Sequence, residues 1–142
     1  MSGGEGFEAH QDSQAGWEDY ANYFISVMVC IDEATLENGC LEVAPRANPE
    51  LVGREWKPLT AAETKMMDFT ACPVQPGDVI YFDSYAPHRS ARNMTDTTRR
   101  LYFSTYNRLS DGDHRAAYYA DKRESFPPDI EREAGREYVY RV

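Results

Sequence analysis

Tyr23-Phe24-Ile25-Ser26-Val27-Met28-Val29-Cys30-Ile31 is the stretch on which the fold turns. It is rich in β-branched and aromatic residues, whose stiff side chains favour a pleated backbone, and it is too apolar for a surface strand. It therefore reads as a strand covered on both faces. Working outward, Asn38-Gly39 is a turn signal that leads into a short strand, Cys40-Leu41-Glu42-Val43-Ala44-Pro45, and then into a proline-broken loop over residues 46–58. Residues 60–69 read as one short helix, with Thr60 as N-cap and Glu63 three residues on completing a capping box. Residues 72–74 and 78–83 read as strands flanking the turn dipeptide Pro76-Gly77. Residues 99–108 alternate as another strand, with Arg99, Leu101 and Phe103 on one face. A helix-like segment begins at Asp113 and is ended by Phe126-Pro127-Pro128. The charged tail to Val142 is expected to lie over the surface. Short strands between turns, with little helix, predict a mainly β chain folded as a small barrel or sandwich.

The composition bounds the function. At 142 residues the chain is expected to be a single domain spanning 1–142. A net charge of -9 argues against a nucleic-acid partner or an anionic membrane surface and leaves small molecules. There is no charged-then-apolar leader, and no apolar run approaches the ~18 residues of a membrane span, so a cytoplasmic protein is expected. Cys30, Cys40 and Cys72 show no CxxC or zinc-finger spacing and read as small structural hydrophobes.

The chain has three histidines, and two of them stand where chemistry is expected. In His10-Gln11-Asp12, residues two apart in an extended segment share a face, so His10 and Asp12 can point at one ion while Gln11 points away. His88 sits in Tyr85-Ala86-Pro87-His88-Arg89-Ser90. Two imidazoles and one carboxylate form the donor set that holds non-haem iron(II) on one face and leaves the opposite positions open. Arg99 follows His88 by eleven residues, room for a turn and the start of a strand, and its guanidinium can clamp a carboxylate. Alternation sends the adjacent Arg100 to the other face. His114, in Gly-Asp-His-Arg at a helix start, reads as a capping, exposed residue, and Asp78 as a turn hydrogen-bond acceptor. Trp17, Tyr20 and Tyr23 are either a substrate wall or ordinary core aromatics, and the residues alone leave both open.

Residues 3–108 resemble the C-terminal catalytic half of the phytanoyl-CoA dioxygenase-like family of iron(II)- and 2-oxoglutarate-dependent oxygenases. The resemblance rests on His10-Gln11-Asp12, residues 38–45, Pro76-Gly77-Asp78, His88-Arg89-Ser90 and Arg99, in the family's order. Residues 81–93 and 106–133 are most similar to bacterial members related to the 2-aminoethylphosphonate hydroxylases. It implies a double-stranded β-helix, the jelly-roll or cupin-like fold, with a short C-terminal helix. It also implies iron(II) on His10, Asp12 and His88, Arg99 on the distal carboxylate of 2-oxoglutarate, and Ser90 and Met28 as further co-substrate contacts. With dioxygen, such a site hydroxylates a small polar molecule and converts 2-oxoglutarate to succinate and CO2. The family carries a further N-terminal segment with the first barrel strand and a co-substrate lysine, so this chain is expected to be an N-terminally truncated, partial domain. Its open sheet edge would then let two copies pair. Arg46-Ala47-Asn48 also replaces the Gly-Ser-His frequent in the family. Two alternatives remain: a cupin-like metal protein that does not use 2-oxoglutarate, and a catalytically inactive β-helix remnant.

Overall fold

Among the described residues seven strands form two sheets, one of four strands and one of three. The computed structural model describes residues 4–46 and 48–138. Gly3, Ala47 of the Arg46-Ala47-Asn48 departure, and residues 139–142 of the charged tail lie outside the described residues. Strand β1 (Phe7–His10) runs into two 3-10 turns, Asp12–Ala15 and Trp17–Asp19, and then β2 (Phe24–Cys30). There follow β3 (Leu41–Val43), helix α1 (Ala61–Thr64), β4 (Thr70–Cys72), β5 (Val79–Asp83), β6 (His88–Ser90), β7 (Leu101–Asn107) and helix α2 (Arg115–Ser125). The sheets are antiparallel, in the orders β1-β6-β3-β4 and β5-β2-β7. Met28 and Phe82 of the second sheet and Leu41 of the first meet in one buried cluster with Cys30, Cys40 and Val74, so the two sheets share a core between them. This is a jelly-roll sandwich. Among the described residues no helix is long and apolar enough to cross a membrane.

The apolar run at 23–31 forms β2, the centre of the three-stranded sheet. Its inward residues Ser26, Met28 and Cys30 are buried, as expected. The outward face is less covered than expected: Ile25 is 38 % exposed, and Tyr81 and Tyr106, on the neighbouring strands, are more so. The capping box at 60–63 is present, the Glu63 carboxylate accepting from the Thr60 N–H at 2.6 Å. The helix stops at Thr64 rather than reaching 69, because none of its residues is buried and the following Met66 is exposed. A helix with no apolar face to dock gains little beyond its first turn.

The described residues of loop 46–58 form no helix or strand and are held by two buried amides. Gln11 Nε2 donates to Tyr85 O at 2.7 Å and Glu50 O at 3.0 Å, while its Oε1 accepts from the Val52 N–H at 2.7 Å. Gln14 Nε2 donates to Arg54 O and Lys57 O, and its Oε1 accepts from the Gln11 N–H. Gly39 has φ +83°, and a Cβ there would stand 2.1 Å from Ala91 O. Only glycine permits that approach, which brings the Gly39 carbonyl against Ser90 and Arg99.

Candidate metal centre

The antiparallel pairing of β1 with β6 places His10 opposite His88. Phe7 pairs with Ser90 in the same ladder, so three steps on β1 match two on β6, and the extra residue is a β-bulge. Without it, Phe7 and His10 would point to opposite faces. With it, both point between the sheets, where the Phe7 ring packs edge-on against both imidazoles at 5.3 and 5.7 Å. Gln11 remains extended, and Asp12 opens the first 3-10 turn. The strand ends at His10, but Gln11 keeps the extended conformation, so the two-residue offset still turns His10 and Asp12 to one side before the 3-10 turn begins.

The three donors converge. His10 Nε2 and His88 Nε2 lie 3.6 and 3.5 Å from Asp12 Oδ1, and one ligand atom from each residue falls within 4.8 Å of the others. Among the described residues no other trio of His, Cys, Asp or Glu gathers this way. His10 Nδ1 is 2.8 Å from Glu8 O and His88 Nδ1 is 3.0 Å from Ala86 O. A carbonyl can only accept, so each Nδ1 carries a proton and each Nε2 faces the centre, where its lone pair is open to an ion once any proton it shares with Asp12 has left. The Ser26 hydroxyl donates to Asp12 Oδ2, leaving Oδ1 facing the imidazoles.

Charge follows from the same contacts. Burial works to raise the Asp12 carboxyl, yet the His10 hydrogen bond, the nearby His88 and Ser26 hold it below the usual carboxylate range. Burial pushes His88 below the ordinary imidazole value against the pull of Asp12. For His10 burial pulls downward, but Asp12 and the Glu8 carbonyl outweigh it and the value is raised. Two nitrogen donors and one carboxylate oxygen on a single face, with both imidazole tautomers fixed, fit a divalent iron ion.

The residues expected at the co-substrate end also gather. Arg99 lies two positions before β7 and turns inward, where Nη1 donates to Gly39 O and, at 2.8 Å, to Ser90 Oγ. Its Nε is buried with no acceptor among the described residues, and burial lowers its pKa. A guanidinium inside the sandwich with a spare donor fits a carboxylate. Arg100 points outward onto Asp32, at 2.7 and 2.9 Å, as alternation predicts. Ser90 is buried beside Arg99, whereas Met28, fully buried, stands in the core cluster. Asp78 accepts from the Gln75 N–H within its turn. The three aromatics divide. Trp17 and Tyr20 line a cavity of about 500 Å³ between the end of β7 and the start of α2, and Tyr23 instead donates to Asp83 Oδ2 at 2.6 Å. His114, expected to be an exposed cap, is the N-cap of α2 but half-buried and also lines this cavity. Ser26 was missed by sequence reasoning. Its signal was a lone hydroxyl in the middle of an apolar run.

The chain belongs to the phytanoyl-CoA dioxygenase family, whose model matches residues 1–101. It is 42 % identical over 142 residues to a 2-aminoethylphosphonate dioxygenase of an uncultured bacterium, covering 96 % of this chain and 53 % of that one. It is also 42 % identical over 133 residues to a methylphosphonate hydroxylase of Gimesia maris, covering 87 % of this chain and 48 % of the other. The chain therefore spans about half the length of these curated relatives. Among solved structures, EctD from S. alaskensis, crystallised with 2-oxoglutarate and 5-hydroxyectoine, superposes with a TM-score of 0.66 at 27 % identity, over 78 % of this chain and 41 % of EctD. A crystal structure of EctD with bound Fe superposes at 0.62 and 28 % identity over the same shares.

Proposed function

We propose that the chain carries the metal and co-substrate residues of an iron(II)- and 2-oxoglutarate-dependent hydroxylase whose substrate is a small organophosphonate. The observation that supports this most is the pairing of the His10–Asp12–His88 centre with an inward Arg99 whose Nε has no acceptor among the described residues. The names of the two bacterial relatives support the phosphonate class. In this reading His10, Asp12 and His88 hold iron(II), Arg99 pairs with the distal carboxylate of 2-oxoglutarate, and Ser90 orients Arg99. Met28 closes the apolar wall behind the co-substrate.

When bound together, iron(II), 2-oxoglutarate and dioxygen supply the oxidising power: one oxygen atom enters the substrate C–H bond, the other enters succinate, and CO2 leaves. The protein's own contribution is placement. Glu8 O and Ala86 O fix the imidazole tautomers, Ser26 keeps one Asp12 oxygen turned away from the histidines, and Phe7 shields both rings from water. The test is an anaerobic titration of the iron(II)-loaded chain with 2-oxoglutarate, following the charge-transfer absorption that chelation of a 2-oxo acid produces. A band in the wild type that weakens in Arg99→Ala supports the reading. Bound iron without a band refutes 2-oxoglutarate use, and Asp12→Ala with unchanged iron affinity refutes the metal centre.

A further inference from the structure

We propose that the cavity between the end of β7, the start of α2 and the Trp17–Phe24 segment is the subsite for the substrate's anionic head, and that Arg115 and the Trp17 indole N–H hold that head. The assignment rests on the phosphonate reading above and names the residues that give it effect. The cavity measures about 500 Å³, the size of a small-ligand site, and Trp17, Phe24, Thr105, Asn107, Arg115 and Tyr118 are among its walls.

It adjoins the metal centre by two routes. Thr105 is the cross-strand neighbour of Ser26, whose hydroxyl holds Asp12. Phe103, also in the wall, stands 6.5 Å from the Phe7 ring that packs on both ligand imidazoles. A short molecule anchored in the cavity therefore extends its far end toward the trio.

Tyr20, Asn107 and His114 of the wall are already bonded, to Asp121, to the Arg108 and Gly112 carbonyls and to the Asp111 carbonyl, whereas two donors there have no acceptor among the described residues. Trp17 Nε1 is buried with none among the described residues, an uncommon state that an incoming oxygen would relieve. Arg115 makes no ion pair among the described residues, and its guanidinium lies 5.3 Å from the Tyr119 ring centroid. Asp113, the carboxylate of the wall, accepts from the Arg115 backbone N–H at 3.1 Å and so serves the helix start. A planar guanidinium offers two parallel N–H donors to two oxygens of a tetrahedral oxyanion, and an indole N–H offers one to the third. Aromatic rings form much of the remaining wall beside Ser104, Thr105 and Asn107, with Trp17 on Phe24 at 5.3 Å and Tyr20 on Tyr118 at 5.7 Å. They suit a short aliphatic stem and little else that is charged.

The test is calorimetric titration of the full chain with methylphosphonate, with inorganic phosphate as the stemless comparison. Arg115→Gln should weaken methylphosphonate binding about tenfold or more, as expected for loss of a charge-assisted pair. Trp17→Phe should weaken it less. Arg123→Gln, on the same helix beside Glu131, should leave it unchanged. Equal affinity in wild type and Arg115→Gln, or no methylphosphonate binding at all, overturns the proposal. Phosphate binding as tightly as methylphosphonate overturns the role given to the aromatic walls. The 2-oxoglutarate band is scored separately: a normal band with Arg115-independent binding removes this subsite alone, and Arg115-dependent binding without a band removes the oxygenase reading alone.

Discussion

Replacing Gln11 with leucine removes the clamp between the metal-bearing turn and loop 46–58 while nearly keeping the volume. Gln11 is 1 % exposed and makes three side-chain hydrogen bonds, to Tyr85 O, Glu50 O and the Val52 N–H. Leucine returns none of them. Glu50 and Val52 are exposed and their backbone groups can turn to water, so the loss concentrates on Tyr85 O. At about 1–3 kcal/mol for a buried group left bare, the net cost comes to about 2 kcal/mol. That is a large part of the ~5–15 kcal/mol a domain has to lose. The assay is urea unfolding followed by tryptophan fluorescence. With a slope of about 1–3 kcal/mol per molar, the midpoint should fall by roughly 1–2 M with the slope unchanged. Limited trypsinolysis should show faster cleavage after Arg54, whose carbonyl Gln14 holds. A loss below about 1 kcal/mol, with cleavage unaltered, would refute the claim that these amides secure the loop.

Ser26→Ala frees the second Asp12 oxygen and should weaken iron(II) binding about 10- to 100-fold, read by competition with a chelator. Unchanged affinity would show that Asp12 is positioned by its turn alone. Gly39→Ala forces a left-handed residue and a backbone clash, and should destabilise by more than ~1–2 kcal/mol in thermal unfolding. Tyr20 and Tyr85 should titrate near 12, above the usual phenol, in alkaline absorbance at 295 nm. For Tyr20 the cause is its hydrogen bond to Asp121, and for Tyr85 burial and then Glu18. The raised values mean that the folded state favours the protonated phenols. Their stabilisation is full below pH ~10 and fades as pH rises through about 12. Asp121→Asn should return Tyr20 toward the ordinary value, and failure to do so would place the cause elsewhere.

His10, Asp12, His88 and Arg99 were legible because each occupies a position that local rules mark: a two-residue offset, a post-strand turn, an arginine before an alternating strand. The structure brings the trio together and gives Arg99 and Arg100 the opposite orientations that alternation requires. What escaped were features set by distant partners. Gln11 and Gln14 look like surface amides until a loop some 40 residues on supplies carbonyls and an N–H for them. The bulge in β1 exists only relative to β6. The helix after Thr60 was overcalled because its capping box is local information, whereas its length depends on a docking face that α1 does not have. The uneven cover of the 23–31 run, with Val27 buried and Ile25 exposed on the same outward face, is likewise invisible to composition, since an apolar run carries no record of which side is covered.

Tyr20 closes the second 3-10 turn after Asp12, and its hydroxyl bonds Asp121 at 2.5 Å while its ring meets Tyr118, both on α2. The helix that walls the cavity is thus fastened to the second turn, which follows directly on the turn that carries Asp12. If a ligand held against α2 steadies Asp12 through this link, an ion seated on Asp12 raises the affinity of the cavity by the same factor, because linked equilibria are reciprocal. Order of addition would then alter kinetics but not the final occupancy.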